Sequence, residues 1–351
     1  MSTARAVRSS WPPLPHFAGY VAAACAIVAL FAICWELRSV LLLAFGSIVL
    51  AIVIRTLALP LNGRFGLGER AAVFIAVLLL ALLATGTFYL FGQQLTSQTA
   101  GLAERLPQAA ASVRDSLEAT TAGRWVLDKL AGLEGENSWL ENSWKFFAVT
   151  TGTVAHTLLM IFAAIYFAAT PRPYLDGFIH LFPIPQRARL RAAMLDAGVA
   201  LRKWLLGQAI SMASVGLLTG IGLALVRAPL PLVLGILAGL LEFIPIAGPV
   251  LAFVPGVLVA LTEGPETALY AAAVYLIVQQ IEGNVIMPLA QRWAVELPPA
   301  FGLIALVAFG ILFGALGILF GSPLAVVLMC LVQKLYVEHG LENGRKPAAG
   351  R

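Results

Sequence analysis

The sequence predicts an all-α, polytopic integral membrane protein with about eight transmembrane helices, some of them broken by Pro and Gly or hairpin-like in the C-terminal half. Of the 351 residues, 60% are hydrophobic and only 12% are charged, against about 25% charged residues in an ordinary soluble domain. Apolar runs long enough to cross about 30 Å of hydrocarbon recur along the whole chain. These runs lack polar faces, which argues against a large soluble protein built from buried helices.

The apolar runs divide the chain into membrane regions and connecting segments. The predicted spans are 18–34, 40–59, 71–92, 146–169, 204–226, 230–262, 268–287 and 300–337. They define an N-terminal three-span membrane region at 1–92 and an extracytoplasmic amphipathic helical subdomain at 93–145. A fourth span follows at 146–169, and a basic cytoplasmic amphipathic segment at 170–203. The C-terminal membrane core with broken helices is 204–337, and the cytoplasmic tail is 338–351.

The first run follows Arg5 and Arg8, as the apolar part of a signal peptide would. A second run begins a few residues later and no small-residue cleavage site is obvious, so we expect an uncleaved first span. Lys and Arg in short loops mark the cytoplasmic side, which places the N-terminus inside. Segment 93–145 then falls outside with five basic and seven acidic residues, and segment 170–203 falls inside with six basic and two acidic residues. Both termini are predicted to be cytoplasmic.

Both connecting segments carry apolar positions at helical spacing. In the outside segment these are Leu102, Leu106, Ala109, Val113 and Leu117. They predict a short helical subdomain on the membrane face, with a solvated linker containing one amphipathic helix as the alternative. In the inside segment the stripe lies between clusters of basic residues and comprises Leu190, Met194, Ala197 and Leu201. A basic amphipathic helix fits an anionic lipid surface, and because no DNA-binding motif is present we expect no nucleic-acid partner.

The motifs of enzymes and ATP-driven pumps are absent from the sequence. The three cysteines lie in apolar runs without C-x-x-C spacing, and the four histidines are scattered, so we expect neither a disulfide nor a metal site. No G-x-x-x-x-G-K-[ST] loop and no G-x-S-x-G elbow occurs, which argues against ATP hydrolysis and against a serine hydrolase. With no visible nucleophile–base pair, the sequence predicts a protein that is not an enzyme.

Two stretches place a carboxylate beside Pro and Gly inside an apolar run. Glu242 lies in Leu241–Pro249, and Glu282 lies in Gln279–Pro288. An ionisable group at the bilayer centre costs about 2.5–3.5 kcal/mol on insertion scales. Freed backbone groups are tolerated there only where they face protein or a water-filled cavity. The two stretches therefore predict a polar site within the membrane.

Two of the predicted spans are too long for a simple crossing. The run 230–262 would extend about 50 Å as a straight helix and contains four prolines, Pro231, Pro245, Pro249 and Pro255. The run 300–337 is longer still and is expected to break at Gly321, Ser322 and Pro323. Each is either one kinked helix or a hairpin of two shorter pieces. The acidic loop 262–267 suits the outside and the loop 288–299 suits the inside, which favours hairpins.

Glycine spacing predicts close helix packing. Gly310, Gly314, Gly317 and Gly321 step by four, three and four residues, and G-x-x-x-G pairs occur at Gly216 and Gly220 and at Gly235 and Gly239. Small residues at this spacing let membrane helices approach backbone to backbone. Packing within one protomer is the simplest interpretation. A subunit interface, and with it a homo-oligomer, or a sliding surface is the alternative.

Four blocks of sequence resemble a known family. They are E-F-I-P-I-A-G-P from Glu242, V-Q-Q-I-E-G-N-V-I-M-P from Val278, the segment Leu297–Pro299, and F-G-A-L-G-I-L-F-G-S-P-L-A from Phe313. Between about Leu234 and Leu335 the chain resembles the autoinducer-2 exporter-like family of permeases. The resemblance implies a bacterial cytoplasmic-membrane protein of about eight crossings without a bound cofactor. It also implies export of the signalling molecule, as in some members, or monovalent cation/proton antiport, as in others. Position 242 is often Asn or Asp in that family, and here it is Glu.

A candidate site for a small polar solute, protons or monovalent cations follows from these residues. Its predicted polar members are Glu242, Glu282, Gln279, Gln280 and Asn284, and the predicted helix breaks are Pro245, Gly248, Pro249, Gly283, Pro288 and Pro323. An apolar environment favours the neutral form of a carboxyl group, so either acid could exchange a proton during transport. The alternative is that each acid lies at a helix end near the interface or pairs with a base such as Arg292.

Three functions stay open at this point. The first is a secondary exporter of a small polar molecule such as autoinducer-2, which does not hydrolyse ATP. The second is a sodium or lithium/proton antiporter. The third belongs to another class, a membrane scaffold or assembly partner acting through the extracytoplasmic helices of 93–145.

Overall fold

The structure is a computed structural model that describes residues 35–66, 68–82, 151–291 and 298–342, together with isolated positions such as Arg105 and Arg114. The described residues form helices and contain no strand, which confirms the all-α prediction. The helices are α1 (Arg38–Phe65), α2 (69–82), α3 (Thr151–Ala169), α4 (Pro171–His180), α5 (Ile184–Leu225), α6 (Pro231–Leu241), α7 (Ala247–Leu261), α8 (Pro265–Ile281), α9 (Met287–Gln291) and α10 (Pro299–Val332). Most of the predicted subdomain 93–145 and the first predicted span, 18–34, lie outside the described residues.

Four described helices are long and apolar enough to cross a membrane, and a bent pair makes a fifth if it is counted as one span. The four are Arg38–Gly63, Ile184–Leu225, Pro265–Leu289 and Ala300–Val337; the last counts as one helix by length only, because its backbone is non-helical at Gly314. The confirmed fold is therefore a polytopic helical membrane protein, while the number of eight crossings stays a prediction.

The bent pair consists of α3 and α4, whose axes meet at 90°. Pro171 and Pro173 follow Thr170 at this corner, and a proline disfavours the helical conformation in the residue before it. By length and composition the pair is one broken span or a re-entrant loop. Helix α4 leads into the basic start of α5.

Helix α5 is the central element of the described fold. It extends without interruption over 42 residues, or about 63 Å, so the predicted boundary at 203/204 between an amphipathic helix and a span is not a break. No proline follows Pro185 until the helix has ended, which explains this continuity. Helices α1, α4, α6, α8, α9 and α10 all contact it.

Glycines bring α5 and α6 together in antiparallel order. A Cβ at Gly235 would lie 2.7 Å from the Cα of Gly220, and one at Gly239 would lie 3.0 Å from the Cα of Gly216. Such distances require backbone-to-backbone contact. The two G-x-x-x-G pairs thus pack helices of one chain against each other, as the simplest interpretation of the sequence expected.

The run 230–262 is a hairpin of two short helices. Helices α6 and α7 have 11 and 15 residues, or about 17 and 23 Å, and each is shorter than the roughly 30 Å of hydrocarbon. The chain reverses over 242–246, where Ile246 has a φ of 70°. A Cβ at Gly248 would collide with the carbonyl of Leu241, so glycine is required where α7 begins beside the end of α6.

The run 300–337 also folds back on itself, but at Gly314 instead of the predicted Gly321–Pro323. Gly314 has φ 66° and ψ −143°, a conformation that is essentially restricted to glycine. A Cβ at Gly321 would lie 3.5 Å from the Cα of Leu306, whereas 15 residues of straight helix would separate the two by about 22 Å. Pro323 lies inside the second arm, and a proline there can bend a helix without reversing it.

Two ion pairs join segments that the charge pattern predicts to share a membrane face. Arg105 of the outside segment contacts Glu263, in the turn between α7 and α8, at 2.7 Å. Asp196 of the inside segment contacts Lys334, just after α10, at 3.5 Å. Each contact joins two segments that are predicted to lie on the same side of the membrane, and the side itself stays a prediction.

Candidate functional site

Glu242 and Glu282 both lie in the interior of the helical bundle. Glu242 caps the C-terminal end of α6, at the tip of the α6–α7 hairpin, and is 4% exposed. Glu282 is the first residue of a π-helical turn, Glu282–Ile286, that follows α8, and is 7% exposed. Buried charged groups of this kind are rare unless they are paired or functional.

The π-helical turn arises where Pro288 follows the acid. Proline has no N–H, and its ring clashes with the carbonyl four residues earlier. A widened turn is one of the ways in which a helix accommodates such a conflict. The predicted break at Gly283 and Pro288 is therefore a local widening, because the helix continues from Pro265 to Leu289. A Cβ at Gly283 would meet no atom within 4 Å, so packing does not explain this glycine.

Helix α5 holds both acidic segments through two polar side chains. The Gln208 Nε2 donates a hydrogen bond to the backbone carbonyl of Glu242 at 2.5 Å. The Ser211 Oγ donates to the Glu282 Oε1 at 2.9 Å. Residues three apart lie on one face of a helix, so one turn of α5 fixes the hairpin tip and the π-helical turn together. The edge of the Trp204 ring also packs against Phe243, with ring centroids 6.0 Å apart.

Gln208 and Ser211 did not enter the candidate site predicted from the sequence. Both sit in an apolar run that was assigned as a plain span. Their three-residue spacing in that run was the available signal, because two polar groups on one face of a membrane helix need polar partners.

Glu242 and Glu282 are both bound by one turn of α5, Glu242 through its backbone carbonyl and Glu282 through its carboxyl group. The Glu242 Oε2 is buried and has no hydrogen-bond partner among the described residues. A buried acceptor without a partner is costly, and each such group calls for a ligand, a proton or a water. The pair thus has one carboxyl group held by Ser211 and one with an unsatisfied oxygen.

The other three predicted polar residues of the site, Gln279, Gln280 and Asn284, make weak contacts with the two acids or none. The Gln279 Nε2 reaches the Glu282 Oε2 only at 3.4 Å, a long hydrogen bond. Gln280 and Asn284 are exposed, and Asn284 donates to the Gln280 backbone carbonyl at 2.8 Å. Each lies two residues from Glu282, which is about 200° around a helix. The structure thus does not bring Gln280 and Asn284 together with Glu242 and Glu282, and their part in the site stays a prediction. Arg292, the alternative partner of the acids, lies outside the described residues.

Comparison with known proteins places these observations in a family. A sequence model described as "AI-2E family transporter" matches residues 24–336. The "Putative transport protein MT0215" of Mycobacterium tuberculosis is 29% identical over 335 residues, which cover 88% of this chain and 87% of that protein. The "Putative transport protein YrrI" of Bacillus subtilis is 29% identical over 153 residues, 44% of this chain and 43% of the relative. The "Putative permease PerM" of Escherichia coli K12 is 27% identical over 182 residues, 51% and 52% of the two chains. The chain thus spans about half the length of some relatives and most of the mycobacterial one.

Proposed function

The chain belongs to the AI-2E transporter family, and from this premise we propose that it is a secondary exporter of a small polar molecule that uses the Glu242–Glu282 pair as its polar site. Autoinducer-2 is the substrate that the family description suggests. The protein would work in the bacterial cytoplasmic membrane with both termini in the cytoplasm. The contact of Asp196 with Lys334 supports a common side for the basic segment and the C-terminal end.

One observation carries the proposal: two buried glutamates on separate elements are held by the same turn of α5, Glu242 through its backbone carbonyl and Glu282 through its carboxyl group. Transporters typically place substrate and ion sites where discontinuous helices expose unpaired backbone groups. Glu242 lies at such a discontinuity, the tip of the α6–α7 hairpin, and Glu282 lies at a widened turn. The site therefore combines ionisable side chains with irregular backbone inside an apolar bundle.

The pair offers a physical route to coupling transport to protons. Two negative charges repel each other strongly in a medium of low dielectric constant, and a proton bound by either carboxyl group removes that repulsion. The unsatisfied Glu242 Oε2 is the open position. A hydroxylated solute that donates a hydrogen bond there would compete with the proton, so that binding of one would release the other.

The test is transport in inverted vesicles that contain the full-length protein. We expect Glu242→Gln and Glu282→Gln each to abolish solute-dependent proton movement, measured with a pH-sensitive dye after addition of autoinducer-2. Glu266→Gln is the matched control, because Glu266 is an exposed glutamate on the same helix as Glu282. Wild-type coupling in both site variants, at equal expression, would refute the proposal.

The same vesicles separate the two transport functions. In an exporter, the pH change follows the organic solute and is unaffected by sodium or lithium. In a cation/proton antiporter, sodium or lithium alone produces it. The scaffold hypothesis stays a prediction, since it concerns segment 93–145.

A further inference from the structure

A cavity of about 230 Å³ lies where α4, α5 and the segment after α10 meet. It is lined by Phe182, Gln186, Arg189, Leu190 and Leu335. Three of these residues are apolar, and the other two, Gln186 and Arg189, are polar. None of the residues assigned to the proposed transport site lines it.

Arg189, one of the residues that line this cavity, has an unmet hydrogen-bonding capacity. Its Nε is buried and has no hydrogen-bond partner among the described residues. The arginines on either side are already engaged: Arg187 donates to the carbonyl oxygens of Phe182 and His180 at 2.9 and 3.0 Å, and Arg191 pairs with Asp176 at 2.5 Å. A buried guanidinium N–H without an acceptor is costly, and its natural acceptor is a carboxylate or phosphate oxygen.

The position of the cavity indicates which anion it meets. Helix α4 runs at 90° to α3, and two apolar side chains between the end of α4 and the first residue of α5 are exposed, Leu181 at 79% and Ile184 at 77%. An exposed apolar turn beside clustered arginines is typical of a segment that lies at the headgroup level of a bilayer. The cavity is therefore at the depth of lipid phosphates, on the membrane face that carries the basic segment.

We propose that this cavity binds the phosphate of an anionic membrane lipid, with Arg189 as the main donor and Gln186 as a second. Phe182, Leu190 and Leu335 would contact the glycerol and the first methylene groups. Zwitterionic lipids present the same phosphate but add a cation, which the excess of six basic over two acidic residues in 170–203 disfavours. The site does not depend on the proposed transport activity.

Native mass spectrometry of the purified full-length protein in detergent tests this site. Phosphatidylglycerol is titrated, with phosphatidylcholine as the zwitterionic comparison. We expect one phosphatidylglycerol to be retained by the wild type and by Arg172→Gln, which removes an exposed arginine of the same segment away from the cavity. Arg189→Gln should weaken its binding about tenfold or more, as for loss of a charge-assisted hydrogen bond.

A second variant keeps the test informative if Arg189→Gln fails to fold. Leu335→Trp fills the cavity without changing any charge and should also displace the lipid. Unchanged phosphatidylglycerol binding in either folded cavity variant, or equal retention of phosphatidylcholine by the wild type, would overturn the proposal. Displacement of the lipid by millimolar inorganic phosphate would identify a free-anion site instead and would overturn it as well.

Discussion

The contact between α5 and α6 should be intolerant of a single methyl group at Gly235. A Cβ at this position would lie 2.7 Å from the Cα of Gly220 and 2.8 Å from the carbonyl oxygen of Gly216. Carbon atoms pack best at about 3.5–4.0 Å, so the overlap is close to 1 Å. Both opposing atoms are backbone, and neither can rotate away. Gly235→Ala must therefore push the two helices apart.

We expect Gly235→Ala to lower the free energy of unfolding by about 1–3 kcal/mol, the range for overpacking a close-packed interior. Helix propensity works in the opposite direction, since alanine favours a helix over glycine by about 0.8–1.0 kcal/mol. Gly198→Ala on α5 isolates that opposing effect, because a Cβ there meets no atom within 4 Å. The control should therefore be neutral or slightly stabilising.

Unfolding in detergent, followed by circular dichroism against increasing denaturant, measures both variants. Gly235→Ala should also impair transport, because separating α6 from α5 draws Glu242 away from Gln208. An unfolding free energy of Gly235→Ala equal to that of Gly198→Ala would refute the backbone-contact reasoning.

Further predictions concern the acid pair and the α10 hairpin. Ser211→Ala removes the hydrogen bond to Glu282, worth about 1.5–3 kcal/mol if the carboxylate is charged, and should reduce vesicle transport roughly tenfold or more; unchanged transport would contradict the assigned contact. Gln280→Ala and Asn284→Ala should each leave transport within about twofold of the wild type, because these side chains face away from the acids; a large loss in either would return them to the site. Gly314→Ala should destabilise the protein by about 1–3 kcal/mol, the cost of a disfavoured backbone conformation, as measured by denaturant unfolding.

Much of the membrane core could be predicted from the sequence because lipid imposes simple rules. Apolar length and interrupted runs anticipated hairpin-like elements in 230–262 and 300–337. The burial of both acids was anticipated from the cost of placing charge in hydrocarbon. Gln280 and Asn284, assigned to the same site from the sequence, are exposed in the structure, and helical geometry rotates both away from Glu282.

Other features depended on tertiary contacts that local sequence does not specify. Gly314 and Gly321 belong to the same series of regularly spaced glycines, so the local sequence does not distinguish them. Only packing of the two arms decides which glycine takes the positive φ. Gln208 and Ser211 form hydrogen bonds with residues that are 34 and 71 positions away in the chain. A run of residues that reads as a plain span can thus contain the groups that assemble a site.

The length of α5 has a mechanical consequence. From Arg189 to Ser211 the helix runs for 23 residues without a break, or about 33 Å, and it forms a continuous rod between the cavity at Arg189 and the acids. Gln208 and Ser211 leave this rod from one turn, so an axial rotation would withdraw both hydrogen bonds in the same step. The hairpin tip and the π-helical turn would then be released together. Rotation of α5 would thus couple a change at the cavity to the acid pair.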